Sequence, residues 1–136
     1  MNRAVMVLWM ASTVALSGVA AAGAAHAGPP PPPGTPCSFT LSPPQVVQLS
    51  GANMVTATVT PAGCGGPFRP YLSVVCVQDG GSPAQCTQAR DADTAQVYAP
   101  YHPGGTYTST GRGLGTVFND APEPNWQLLG PFTAAL

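Results

Sequence analysis

Hydrophobic and polar residues alternate most regularly from Met54 to Thr60, in the sequence MVTATVT. Val55, Ala57 and Val59 fall on one side of the alternation, and threonines fall on the other. A period of two with β-branched residues is typical of a half-buried β-strand. We therefore expect a strand here, with one face in a core, and we expect the turn-forming sequence PAGCGGP that follows to end it.

The segment Tyr71–Gln88, YLSVVCVQDGGSPAQCTQ, predicts a β-hairpin. Its first half is apolar on both faces, which indicates a strand in the interior of a sheet. The sequence DGGSP then breaks the strand pattern with turn-forming residues. Cys76 and Cys86 lie equally far from Gly81, so a hairpin centred there places the two sulfurs opposite each other.

Shorter alternating segments predict the remaining strands, and no segment after residue 27 has helical periodicity of adequate length. We expect Gly111–Gly115 to interrupt the strand before it. About seven short strands with turns every ~8–12 residues favour an all-β, antiparallel, immunoglobulin-like β-sandwich. The remaining predicted strands are Cys37–Leu41, Gln45–Leu49 at an edge, Thr94–Tyr98, Thr106–Thr110 and a last bent strand formed by Trp126–Leu129 and Phe132–Ala135.

Tyr107 follows a Pro-Gly-Gly turn, at a position where immunoglobulin-like folds often carry a corner tyrosine. It is equally well explained as an ordinary aromatic residue of a strand.

The amino terminus has the pattern of a secretory signal peptide. Arg3 supplies a positive charge, residues 4–25 are uncharged, and Ala25-His26-Ala27 provides small residues at a cleavage site. The alternative is a retained transmembrane anchor, since the uncharged run is long enough to span a bilayer. Its second half is rich in Ala, Gly and Ser, so we predict a signal peptide at 1–27, cleavage after Ala27 and no membrane span thereafter.

Two further segments follow the predicted signal peptide. Residues 28–36, GPPPPPGTP, favour extended polyproline II and predict a stiff linker rather than a ligand for a proline-binding groove. Residues 37–136 are enough for one domain with one modest core.

All four cysteines lie in the predicted domain. An even number of cysteines in a short exported chain indicates disulfides, and four cysteines allow three pairings. Hairpin symmetry favours Cys76–Cys86, which leaves Cys37–Cys64. Zinc sites usually contain cysteines two to four residues apart, and no such pair occurs here. We predict no metal and no cofactor.

The charge of the chain excludes several partners. After residue 27 the basic residues are Arg69, Arg90 and Arg112, and the chain contains no lysine. Three scattered arginines do not form the basic patch that nucleic acid requires, and the lack of such a patch also disfavours adsorption to anionic lipid.

Few residues could support catalysis. His102, in PYHPGG, is the only histidine after residue 27, and a solvated loop histidine is the simpler interpretation. The carboxylate pairs Asp91/Asp93 and Asp120/Glu123 could serve a hydrolase, but the first is typical of a turn or a weak contact with a cation, and Glu123 lies between two prolines. We predict no catalytic residue.

Two other groups of residues are candidates for binding. Gly111, Gly113 and Gly115 resemble a nucleotide-binding loop, but strand-forming residues follow them, so we predict a glycine-rich bulge or turn. Aromatic residues in loops commonly form recognition surfaces. A recognition patch would form if loops bring together Tyr98, Tyr101, His102 and Trp126; alternatively, Tyr98 and Trp126 belong to the core.

The chain resembles small secreted proteins of actinobacteria, mycobacterial ones in particular. The resemblance rests on CSFTLSPP, VTATVTPAGCGG, PYHPGGTYTSTGRG and GPFTAAL, and covers most of residues 37–136. It implies a secreted or envelope-associated protein and no specific activity. The chain is also similar to neocarzinostatin-type apoproteins, which are exported immunoglobulin-like domains with two disulfides and an apolar cleft for a chromophore.

Together these features predict a secreted, non-enzymatic β-sandwich that acts by contact with an envelope or extracellular partner. The alternative is a carrier of a small apolar ligand in a cleft of the sandwich, and a hydrolase is the third hypothesis. The identity of the partner and the oligomeric state are not encoded in any motif.

Overall fold

The computed structural model describes residues 37–117 and 126–136. In this part of the chain the backbone forms eight β-strands and no helix. The predicted signal peptide 1–27, the linker 28–36 and the pair Asp120/Glu123 lie outside the described residues. The strands are β1 (Cys37–Leu41), β2 (Gln45–Leu49), β3 (Ala52–Cys64), β4 (Phe68–Asp79), β5 (Gln85–Arg90), β6 (Ala95–Pro100), β7 (Thr106–Val117) and β8 (Gln127–Ala135).

Two antiparallel sheets pack face to face. Sheet A contains β1, β2, β3 and β6, with β3 in the middle and β1 and β2 on the edge opposite β6. Sheet B has the strand order β5-β4-β7-β8. This arrangement confirms the predicted immunoglobulin-like sandwich. It also confirms that β4 is an interior strand and that β2 is an edge strand. No described segment is a helix that could cross a membrane.

The core lies between the sheets, and its buried residues come from β1, β3, β4, β6, β7 and β8. Its largest fully buried side chains include Phe39, Val55, Val59, Val75 and Tyr107. The alternation that predicted β3 is confirmed, because Val55, Ala57 and Val59 are completely buried.

Both disulfides join residues that are direct neighbours on paired strands. Cys37 lies opposite Cys64 on β1 and β3, and Cys76 lies opposite Cys86 in the β4–β5 hairpin. The bonds Cys37–Cys64 and Cys76–Cys86 are both formed. The predicted pairing is therefore confirmed, and each bond reinforces one sheet rather than linking the two sheets.

Several strands extend beyond their predicted limits; β4 begins at Phe68, before Tyr71, and β6 runs from Ala95 to Pro100 rather than from Thr94 to Tyr98. β3 continues through Pro61 to Cys64, where the disulfide to Cys37 holds its end against β1. The proline is tolerated because it lies opposite Phe39, beside the point where the β1–β3 register shifts. PAGCGGP thus ends the strand only after the cysteine.

The glycines expected to interrupt β7 belong to the strand. A Cβ atom on Gly113 would lie 2.2 Å from the ring of Phe39, and one on Gly111 would lie 2.5 Å from a methyl group of Val59. Glycine is therefore required because side chains of sheet A pack directly on the β7 backbone. The predicted bulge is present, since the β7–β8 register shifts between Ser109 and Gly111.

Tyr107 is a corner tyrosine. Its side chain is completely buried, and its hydroxyl donates a hydrogen bond of 2.9 Å to the carbonyl of Pro100. The backbone N–H of His102 donates to the same hydroxyl at 2.7 Å. One side chain thus ties the end of β6 and the following loop to the start of β7, as a corner tyrosine does in immunoglobulin-like folds.

Candidate functional site

The four residues of the predicted aromatic patch do not all lie together in the structure. Tyr98 is 37% exposed on the outer face of sheet A, opposite Thr56. Tyr101 is partly buried and packs against the core, whereas His102 is exposed on the loop that follows β6. Trp126 is half-buried just before β8.

Trp126 and His102 lie towards opposite ends of sheet B. Asp79, which contacts His102, is opposite Tyr107, whereas Gln127 is opposite Gly113. These two positions on β7 are six residues apart, which corresponds to ~20 Å along a strand. The described residues therefore contain two separate regions of interest, one at each of these positions.

The first region contains His102 and Asp79. The imidazole Nδ1 and a carboxylate oxygen are 2.6 Å apart, and the histidine side chain is 67% exposed. These residues and Ser82 line a small pocket of about 200 Å³. The arrangement has the residue types of a serine hydrolase. However, no hydrogen bond joins the Ser82 hydroxyl to the imidazole among the described residues, so the histidine has an orienting carboxylate without a bonded nucleophile.

The loop that carries His102 is also held by backbone hydrogen bonds with Leu136. The N–H of Gly104 donates to the carbonyl of Leu136 at 2.7 Å, and the N–H of Leu136 donates to the carbonyl of Gly105 at 2.9 Å. With the Tyr107 contacts, these bonds hold the backbone of the loop that carries His102.

Asp91 and Asp93 belong to a turn between β5 and β6. Asp91 has a positive φ of 54°, and its carboxylate lies 3.8 Å from the guanidinium of Arg69. The N–H of Asp93 donates to the carbonyl of Arg90. Both residues thus follow the predicted turn chemistry. Within residues 37–117 and 126–136, no cluster of three His, Cys, Asp or Glu side chains could hold a metal ion.

The second region is a groove on the outer face of sheet B, which we call the sheet B groove. It has a volume of about 630 Å³ and is open to solvent. Its shape follows from the alternation along β4, where Ser73, Val75 and Val77 point into the core and the residues between them face outward. The groove is lined by Val74, Cys76, Cys86, Thr87, Gln88, Thr110, Gly111, Arg112 and Leu128.

Strand register places these residues in rows across the sheet. Val74 is opposite Gln88 on one side and Arg112 on the other, and Arg112 is in turn opposite Leu128. The next row contains the Cys76–Cys86 disulfide and Thr110. The apolar part of the surface consists of Val74, the disulfide and Leu128, which is 76% exposed.

Trp126 adjoins this groove through Arg112. The guanidinium carbon of Arg112 lies 4.7 Å from the centroid of the Trp126 ring, within the range of a cation–π contact. Trp126, two residues before Leu128 in the sequence, therefore contacts the side chain of Arg112, the charged residue of the groove.

Sequence analysis did not identify the groove as a site, although one feature of the sequence indicated an apolar surface outside the core. Both faces of the β4 segment are apolar, and only one face is needed for the core. The outward row Val74–Arg112–Leu128 depends on the register of β4, β7 and β8, which pattern analysis does not supply.

Comparison of this chain with protein-family models, curated proteins and solved structures finds no match. The assignment of a function therefore depends on the geometry and chemistry of the sites described above.

Proposed function

We propose that this protein is a secreted, non-enzymatic binding module of the envelope or extracellular space, and that the sheet B groove is its binding surface. The observation that carries the proposal is the apolar surface on the outer face of sheet B. Leu128 is 76% exposed there on one side of Arg112, and Val74, which is 9% exposed, and the Cys76–Cys86 disulfide line the groove on the other side. Exposed apolar surface with a polar rim is characteristic of interaction sites.

Two disulfides support the extracellular location, because such bonds form and persist in oxidising compartments. The predicted signal peptide gives the route of export. Mass spectrometry of the protein recovered from culture fluid tests this directly. A chain that begins at Gly28 supports export, whereas a chain that is retained in the cytosol and keeps residues 1–27 contradicts it.

Binding is favoured over catalysis by the composition of the two regions. The sheet B groove contains no described carboxylate, histidine or serine. The pocket at His102 is smaller, and its imidazole is committed to Asp79 and to a loop fixed by Tyr107. Hydrolase activity remains the third hypothesis, and loss of a hydrolytic activity in His102→Ala would support it.

The contact hypothesis is tested by retention of a partner from envelope extract or culture fluid on the immobilised chain. Leu128→Asp replaces the most exposed apolar side chain of the groove with a charged one and should abolish retention. Leu49→Asp is the matched control, since Leu49 is also exposed, at 42%, but belongs to β2 in sheet A. Equal retention by both variants would exclude the groove as the contact surface.

The second candidate function is a carrier of a small apolar ligand. The observation that favours it is the volume of about 630 Å³, which lies within the range of small-molecule sites. Few polar side chains surround the apolar floor of the groove, by which we mean Val74, the Cys76–Cys86 disulfide and Leu128, and small-molecule sites have this composition. Under this hypothesis the ligand lies along the disulfide and Leu128, and native mass spectrometry of the secreted protein should detect a bound small molecule.

A further inference from the structure

The charge of the sheet B groove narrows the chemistry of its ligand. Among the described residues that line the groove, Arg112 is the only charged one. The other polar lining residues are the neutral side chains Thr87, Gln88 and Thr110. An occupant of this groove therefore meets one fixed positive charge beside an apolar floor.

Arg112 is exposed and positioned for binding an anion. Its guanidinium lies 4.7 Å from the centroid of the Trp126 ring, and no carboxylate among the described residues forms an ion pair with it. A guanidinium stacked on an aromatic ring keeps its hydrogen-bond donors at its edge, where they match the geometry of a carboxylate. Stacking on Trp126 also restricts the side chain, so that less conformational freedom is lost on binding.

The apolar floor begins next to this charge. Val74 is directly opposite Arg112 on β4, and Leu128 is directly opposite it on β8. The Cys76–Cys86 disulfide continues the apolar surface by one row. A ligand that fits this pattern has one anionic end and an apolar body.

We propose that the sheet B groove binds a small amphiphile with a single carboxylate, of the fatty-acid type, whose carboxylate pairs with Arg112 and whose chain lies over Val74, the disulfide and Leu128. This proposal rests on the carrier function proposed above, because it assigns a ligand class to that same groove. It adds the requirement that the ligand carry a negative charge, whereas a carrier of apolar ligands has no such requirement.

Trp126 provides an intrinsic reporter for the test. The chain has two tryptophans, and the other is Trp9, within the predicted signal peptide. In the secreted chain from Gly28 onward, fluorescence therefore reports on the residue that stacks on Arg112. Isothermal titration calorimetry gives a second readout that does not depend on the position of the indole ring.

The experiment compares dodecanoate with dodecanol at neutral pH, at concentrations below micelle formation. The wild-type chain should bind the carboxylate at least about tenfold more tightly than the alcohol. Arg112→Gln should remove this preference by weakening dodecanoate binding about tenfold, with dodecanol binding unchanged. Circular dichroism and mass mapping of the disulfides establish that the variant is folded.

Arg90→Gln is the matched control. Arg90 also lies over an aromatic ring, that of Tyr71 at 5.9 Å, and belongs to the same sheet, but it does not line the groove. This variant should retain the full preference for dodecanoate. A tenfold loss in Arg90→Gln as well would indicate non-specific attraction of anions and overturn the proposal.

The outcomes separate this proposal from the carrier function. Equal binding of dodecanoate and dodecanol to the wild-type chain would overturn the role of Arg112 while leaving an apolar carrier. Binding of neither ligand would overturn both this proposal and the carrier function, and would leave the contact function to be judged by retention of a partner.

Discussion

The side chain of Gln127 completes the hydrogen bonding of Phe39 across the sandwich. The backbone N–H of Phe39 in sheet A donates to Oε1 of Gln127 in sheet B over 3.0 Å. Gln127 is only 5% exposed, and Phe39 lies opposite Pro61 at the register shift of β1 and β3. This bond links the two sheets at the end where Trp126 and Arg112 lie.

Replacing Gln127 with Leu should destabilise the fold by about 1–3 kcal/mol, because a buried N–H would lose its acceptor. Urea unfolding followed by circular dichroism measures the change. Gln48→Leu, at an exposed position on edge strand β2, should change the free energy of unfolding by less than about 0.5 kcal/mol. Equal effects of the two substitutions would mean that the bond to Phe39 is energetically unimportant.

Tyr107→Phe should cost about 1–2 kcal/mol, because the buried hydroxyl bonds both the carbonyl of Pro100 and the N–H of His102. Thermal unfolding provides the measurement. Tyr98→Phe is the control, since the Tyr98 side chain is partly exposed on sheet A and forms no hydrogen bond with any of the described residues. If Tyr107→Phe is as stable as the control, the corner tyrosine contributes only by packing.

Gly113→Ala should destabilise the fold by about 1–3 kcal/mol, because the added Cβ would overlap the Phe39 ring. The cost should fall by at least about 0.5 kcal/mol in a Phe39→Leu background, since the two positions are in contact. Gly65→Ala is the control, because no atom lies within 4 Å of its added Cβ. An equal cost in both backgrounds would exclude the ring contact as its cause.

Loss of the Cys37–Cys64 bond should be more destabilising than loss of the Cys76–Cys86 bond. The first closes a sequence separation of 27 residues and the second a separation of 10. The chain-entropy relation gives about 3.5 and 2.7 kcal/mol, a difference of about 1 kcal/mol. Paired Cys→Ala variants in urea test the order, and the reverse order would show that native-state contacts outweigh loop entropy.

Much of the fold is predictable from local pattern. The limits of β1 and β2, the hairpin and both disulfides follow from alternation, turn residues and cysteine spacing. The extension of β7 through Gly111 and Gly113 is not predictable locally, because it depends on contacts with Phe39 and Val59 from the other sheet.

The proposed binding surface was less predictable than the fold. Pattern analysis selected aromatic residues near turns, whereas the groove is formed by residues of four strands. Trp126 was one of the candidates for the recognition patch, and the side chain that it contacts is Arg112, which no sequence motif links to it. The pairing arises only when β7 and β8 are aligned in the sheet.

The most direct measurement is an amide NMR titration of the isotope-labelled secreted chain with dodecanoate. If the sheet B groove is the binding surface, the largest shifts should occur at Val74, Cys76, residues 86–88, residues 110–112 and Leu128. Shifts concentrated on sheet A or around His102, or no saturable shifts at all, would contradict binding of this ligand in the groove.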